Sequence, residues 1–209
     1  MTPIYRLLRA VNEAFLRLFT KREVVGLENL PASPPYIMVT NHVSAFDSPL
    51  ILSICPHAIH AFAADKHRRN LFYAPLLVAM GSIWVRRGEV DRVALAQALD
   101  LLKRGHVLGM APEGTRARGV YALQEGKTGV AYLAARANVP IVPVGLAGSE
   151  DMKHNLRQLR RTRVRITVGK PIRLPENGRV RGEKLREYTD LVMRGIAELL
   201  PDEYRGVYA

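Results

Sequence analysis

The chain has 209 residues, 48% hydrophobic and 24% charged, which is long enough for one well-buried domain and too apolar for a disordered tract. Its 31 Lys and Arg against 19 Asp and Glu give a formal charge of +12 and call for an anionic partner, whether nucleic acid, an anionic lipid surface or a phosphorylated substrate. A single cysteine, Cys55, excludes an intrachain disulfide, and the longest strongly apolar run, Leu71 to Val85, is broken by Pro75 and Gly81 and falls short of the ~20 residues that a membrane-spanning helix needs.

Ile4, Leu7, Leu8, Val11, Phe15, Leu18 and Phe19 recur at helical spacing, with Thr2 and Pro3 as cap and first turn. Residues 1–21 therefore form an amphipathic helix that either packs on the core or lies in a lipid interface, and residues 22–209 form the main domain. From Val24 onward apolar runs alternate with helical patterns. Strands are expected at Tyr36 to Thr40, Ile59 to Ala63, Ile83 to Val85, Val107 to Met110, Ile141 to Val144 and Val164 to Val168. Helices are expected near Pro49 to Ser53, Arg69 to Ala79, Val90 to Lys103, Gly129 to Ala137 and Glu183 to Leu200, the third closed by Gly105. This alternation predicts an α/β fold, a mostly parallel or mixed central sheet flanked by helices, with its sites in the strand-to-helix loops.

One such loop holds Asn41-His42-Val43-Ser44-Ala45-Phe46-Asp47, directly after the strand Tyr36 to Thr40. Five positions would part His42 and Asp47 by ~17 Å in an extended strand and do not share a helix face, so the two side chains meet only across a turn. Ser48 and Pro49 offer an N-cap and first helical residue just beyond it. A carboxylate there fixes the imidazole tautomer and frees the other ring nitrogen to take a proton from a hydroxyl, so this is a dyad whose nucleophile belongs to the substrate. On spacing alone, a loop His and a nearby Asp are more often capping and surface residues than a dyad.

A second loop, Ala111-Pro112-Glu113-Gly114-Thr115-Arg116-Ala117-Arg118-Gly119, follows the strand Val107 to Met110 and can bring backbone N–H groups and guanidinium to a phosphate, or be an ordinary charged turn. Gly81-Ser82-Ile83-Trp84-Val85-Arg86-Arg87 adds cations beside apolar surface, and Lys127 stands where a helix opens, its positive dipole end favouring an anion.

In this order the pieces resemble the glycerolipid acyltransferase family, most closely its bacterial 1-acylglycerol-3-phosphate acyltransferases. The matching motifs are Asn41-His42-x4-Asp47, Gly81 to Arg87, Pro112-Glu113-Gly114-Thr115-Arg116 and Val139-Pro140-Ile141-Val142-Pro143-Val144, spread over roughly residues 22 to 170. The resemblance implies acyl transfer from a coenzyme A or acyl-carrier-protein thioester, as co-substrate, to the free hydroxyl of a lysophospholipid such as 1-acylglycerol-3-phosphate, giving phosphatidic acid. It implies His42 as base and Asp47 as its partner. Lys66, Arg87 and Arg116 would be phosphate-binding cations, with Glu113, Gly114, Thr115 and Lys127 completing the substrate site. Glycerol-3-phosphate or an amino-acid-derived lysolipid stay open as acceptors. No metal or redox cofactor is implied. With no leader or span, the protein is expected on the cytoplasmic side of an anionic membrane surface, bound peripherally.

Readings from other classes are less well supported. A basic nucleic-acid or phosphate-binding module lacks the aromatic content, at 7%, and Gly126-Lys127-Thr128 lacks the leading glycine of a phosphate loop, Tyr121 standing there. Cys55-Pro56-His57 with His60 is too sparse for a metal centre.

Overall fold

The computed structural model describes residues 2–69, 71, 73–86, 88, 90–116, 121–175 and 178–209. Arg87 and Arg118 lie outside the described residues. In chain order the elements are α1 (Pro3–Phe19), β1 (Thr20–Val25), β2 (Tyr36–Thr40), α2 (Asp47–Ile54), β3 (Ile59–Ala64), α3 (Tyr73–Ala79), β4 (Ile83–Val85), α4 (Arg92–Lys103), β5 (Val107–Met110), α5 (Gly129–Ala137), β6 (Ile141–Ala147), α6 (Met152–Arg157), β7 (Thr162–Val168) and α7 (Glu183–Ala197).

The strands form one sheet in the order β1-β7-β6-β2-β5-β3-β4, parallel throughout except at the β6–β7 pair. All of β2 is buried, because helices cover both faces of the sheet centre and leave no solvent side for polar alternation. One core layer gathers Val130, Leu133, Val192 and Ile196 from α5 and α7; the other gathers Tyr5, Leu16, Leu50 and Ile51 from α1 and α2. Because β6, β2 and β5 are parallel neighbours, the loops leaving their carboxyl ends converge on one edge of the sheet.

The expected α/β architecture is present, with differences at particular elements. The strand β1 pairs with β7 from Thr20 to Val25, so the helical segment ends before residue 21. Its sequence, Thr-Lys-Arg-Glu-Val-Val, is an edge strand in which Lys21 and Glu23 face water and Arg22 pairs with Glu13 of α1, and this run of charges hides it from a search for apolar runs. The turn after α4 is as expected: Gly105 takes φ +79°, and the His106 N–H reaches back to the Leu101 carbonyl.

The helix α1 is fastened to the domain. Tyr5 Oη donates to the Ile59 carbonyl and accepts from the Ile59 N–H, Asn12 Nδ2 donates to the Pro49 carbonyl, and Arg161 donates to the carbonyls of Arg17 and Thr20 at the negative end of the helix. Its packing stripe is Tyr5, Asn12 and Leu16. The apolar positions Ile4, Leu7, Val11 and Leu18 stay 59 to 64% exposed along one line of the helix. This helix thus packs through one face and presents apolar side chains outward from another.

Candidate functional site

The dyad forms. His42 Nδ1 lies 2.7 Å from Asp47 Oδ2 across the β2–α2 turn. A carboxylate only accepts, so Nδ1 carries the proton and Nε2 is left as a base. Asp47 is the first residue of α2, two positions earlier than the Ser48-Pro49 pattern suggested, and Phe46 precedes it in the cap position. The reason is visible in the hydrogen bonds. The same Oδ2 accepts the backbone N–H groups of Val43 (2.9 Å) and Ser44 (2.8 Å), so the carboxylate organises the turn itself rather than leaving it to a serine cap. Its other oxygen, Oδ1, accepts from Ser149 Oγ at 2.6 Å, a residue from the loop after β6. The Asp47 side chain is only 2% exposed; that of His42 is 17% exposed.

Neighbouring strands hold this loop in place. Asn41 pairs with the Leu146 backbone in both directions, its Nδ2 donating to the carbonyl (2.8 Å) and its Oδ1 accepting from the N–H (2.9 Å), which ties the end of β2 to β6. Glu113 accepts the His42 N–H at 3.0 Å through Oε1 and the Gln124 N–H through Oε2. The role carried over for Glu113 was in substrate binding; its observed contacts are with the backbone that carries the base.

Burial pushes the Glu113 carboxyl above the usual carboxylate range, and the N–H donors of His42 and Gln124 offset only part of this. An acid raised in the folded state keeps its proton there over a window in which the unfolded chain has already lost it. Its contribution to stability is therefore complete below the ordinary carboxylate value and is lost as pH rises through the raised one. Melting curves of the native chain and Glu113→Gln are expected to diverge over this window, the native chain losing ground to the variant as pH rises above about 4.3. A difference independent of pH would contradict it.

A cavity of ≈ 710 Å³ opens beside the dyad. His42, Asp47, Gly114, Lys127, Arg86 and Arg92 are among its lining residues, and Ile51, Phe62, Leu77, Leu95 and Leu99 help to make much of the wall apolar. Gly114 has φ +71°, and a Cβ there would come within 2.9 Å of Lys127 Nζ, so the missing side chain is what lets the lysine cross the loop. Lys66, on the turn after β3, and Thr115 and Arg116 are not among the described residues that line the cavity. Cys55 is buried against the Tyr36 hydroxyl, which also meets His57 Nδ1, and among the described residues no group of three or more His, Cys, Asp or Glu could hold a metal ion.

Behind Ser149 the chain is held by a later segment. Tyr204 Oη accepts the Gly148 N–H (3.2 Å) and donates to Glu150, while the Tyr204 carbonyl accepts from Leu123 N and Tyr208 Oη accepts from Gly126 N. Burial foremost, and the bond to Glu150, raise the Tyr204 phenol above its ordinary value. Ser149 and Tyr204 carry no spacing signal toward His42, whereas Asn41 belongs to the motif and its tie to Leu146 comes from the packing of β2 on β6.

Residues 21–147 match the family model described as "Acyltransferase". The chain is 35% identical over 135 residues to a 1-acyl-sn-glycerol-3-phosphate acyltransferase of Borreliella burgdorferi, covering 61% of this chain and 52% of that protein. It is 31% identical over 165 residues to a chloroplastic one of Brassica napus, covering 74% and 46%. It thus spans about half the length of these relatives. Among solved structures, the 1-acyl-sn-glycerophosphate acyltransferase of Thermotoga maritima superposes with a TM-score of 0.72 at 26% identity, over 93% of this chain and 79% of that one.

Proposed function

Because the chain belongs to the acyltransferase family, we propose that it moves an acyl chain from a coenzyme A or acyl-carrier-protein thioester to the free hydroxyl of a lysophospholipid, with 1-acylglycerol-3-phosphate as acceptor and phosphatidic acid as product. The observation that carries this reading is a histidine base, oriented by a buried carboxylate 2.7 Å away, in the wall of a cavity that is largely apolar. The relatives' names supply the acceptor.

In this mechanism His42 Nε2 takes the proton of the acceptor hydroxyl as its oxygen attacks the thioester carbonyl. Asp47 stabilises the imidazolium that forms. The tetrahedral intermediate then collapses, the C–S bond breaks, and the thiolate leaves and recovers the proton from His42. Thiolate is a good leaving group, so activation of the alcohol is the main demand. The apolar cavity suits an acyl chain, and Lys127 and Arg86 on its wall suit a phosphate, whose charge they would offset. Lys66, Arg87 and Arg116 are proposed to add to that cation set on the strength of the family motifs. No metal or redox group takes part in this scheme.

The test is acyl transfer from acyl-coenzyme A and from acyl-carrier protein to a panel of lysolipids and glycerol-3-phosphate. Turnover with lysophosphatidate by the native chain and loss of it in His42→Ala supports the reading, and equal turnover in both overturns it.

No helix among the described residues is long and apolar enough to cross a membrane. We propose that the protein works as a peripheral enzyme on the anionic cytoplasmic face of a membrane, docked through the outward stripe of α1, whose Ile4, Leu7, Val11 and Leu18 are exposed. Arg6, Arg9 and Arg17 on that helix favour anionic headgroups. Deleting α1 would be a poor test, since Leu16 is fully buried and its loss would open the core. Leu7→Glu with Val11→Glu touches only exposed positions. This pair is expected to lower partitioning onto phosphatidylglycerol vesicles about tenfold or more with little change in melting temperature. Unchanged partitioning at low salt would remove the docking role.

A further inference from the structure

We infer that Ser149 is a positioning residue for the acyl transfer, acting through Asp47 on His42; this rests on the catalytic reading above. The carboxylate of Asp47 receives three donors on Oδ2, from His42, Val43 and Ser44, and all of them approach one oxygen. Three bonds to a single oxygen hold the carboxylate at that corner and leave its other oxygen to a separate partner. The Ser149 hydroxyl, 2.6 Å from Oδ1, is the contact on the second oxygen and sets the plane of the group. That plane decides whether the Oδ2 lone pair points along His42 Nδ1–H, and hence where Nε2 is aimed in the cavity.

The fold builds this contact deliberately. Ser149 is 102 positions from Asp47 in the chain yet 0% exposed beside it, because β6 runs parallel to β2 and its exit loop arrives at the same sheet edge. Gly148 makes the return turn at φ +86°, where a Cβ would sit 2.3 Å from the Arg163 carbonyl oxygen, so only glycine delivers the serine to this point. A serine in such a turn commonly bonds to its own local backbone, whereas this hydroxyl is spent on a buried charge, where a charge-assisted bond is strongest. Tyr204 holds the Gly148 N–H and fixes the turn from behind.

The test is a double-mutant cycle in steady-state assays with acyl-coenzyme A and lysophosphatidate. Ser149→Ala is expected to lower kcat about tenfold or more with both KM values within about twofold, and the same change in a His42→Ala background, where no imidazole is left to aim, to move the residual kcat by less than about twofold. Equal losses in the two backgrounds, or a Ser149→Ala enzyme within about twofold of native, would overturn the assignment. If circular dichroism shows that Ser149→Ala does not fold, Ser149→Cys keeps the size and offers only a weak donor. A fall in kcat at native melting temperature then supports the role, and native kcat overturns it. Loss of activity in His42→Ala with no effect at Ser149 defeats this inference alone, whereas full activity in His42→Ala defeats the catalytic reading on which it rests.

Discussion

Replacing His42 with alanine is expected to lower kcat by about 10²- to 10⁴-fold, the usual contribution of a positioned general base. The geometry makes this a clean experiment. The backbone of the loop is held by groups other than the imidazole: Asp47 Oδ2 binds the N–H of Val43 and Ser44, Glu113 binds the N–H of residue 42, and Asn41 is tied to Leu146. Removing the ring leaves all of these in place. The melting temperature should therefore change little, and KM for the acceptor should stay near its native value, because the base contributes to the transition state rather than to ground-state binding. Initial rates with lysophosphatidate, run alongside a thermal melt, check both halves. A variant with native turnover would exclude His42 as the base.

Asp47 should behave differently depending on what replaces it. Asparagine can accept the Val43 and Ser44 N–H groups through its carbonyl and donate to Ser149 through its amide, so Asp47→Asn is expected to fold. It lacks the charge that stabilises the imidazolium, and kcat should fall by about 10² or more. Alanine leaves the two buried N–H groups without an acceptor, at about 1–3 kcal/mol each. Their sum is a large share of the 5–15 kcal/mol by which a domain of this size is typically stable. Asp47→Ala should accordingly melt well below Asp47→Asn. Equal melting temperatures for the two would mean that the carboxylate does not organise the turn.

How much of this was legible beforehand varies with the physical reach of each signal. His42 and Asp47 could be paired from sequence because a turn is a local event, and the five-residue offset excluded every regular alternative. Gly105 could be placed as a helix stop for the same reason. Ser149 could not, since its partnership with Asp47 is created by the parallel pairing of β6 with β2 and leaves no mark at any fixed spacing. Glu113 was singled out by motif, but its carboxylate is directed at the His42 backbone, a detail only the packing of two loops decides. On α1 the hydrophobic period marked the helix correctly, yet Ile4, Leu7, Val11 and Leu18 of that stripe face outward, while the helix packs through Tyr5, Asn12, Phe15 and Leu16. Periodicity reports that a face is apolar, not what it faces. The strand β1 was missed because Lys21, Arg22 and Glu23 are tolerated at a sheet edge.

The support that Tyr204 lends to the Gly148 turn also has a temporal side. During synthesis the loop bearing His42 emerges early, Ser149 much later, and the tyrosine that braces it later again. A nascent chain therefore carries its imidazole through most of translation without the groups that aim it. The loop is thus fully braced only once β6 and the segment at Tyr204 have joined the fold.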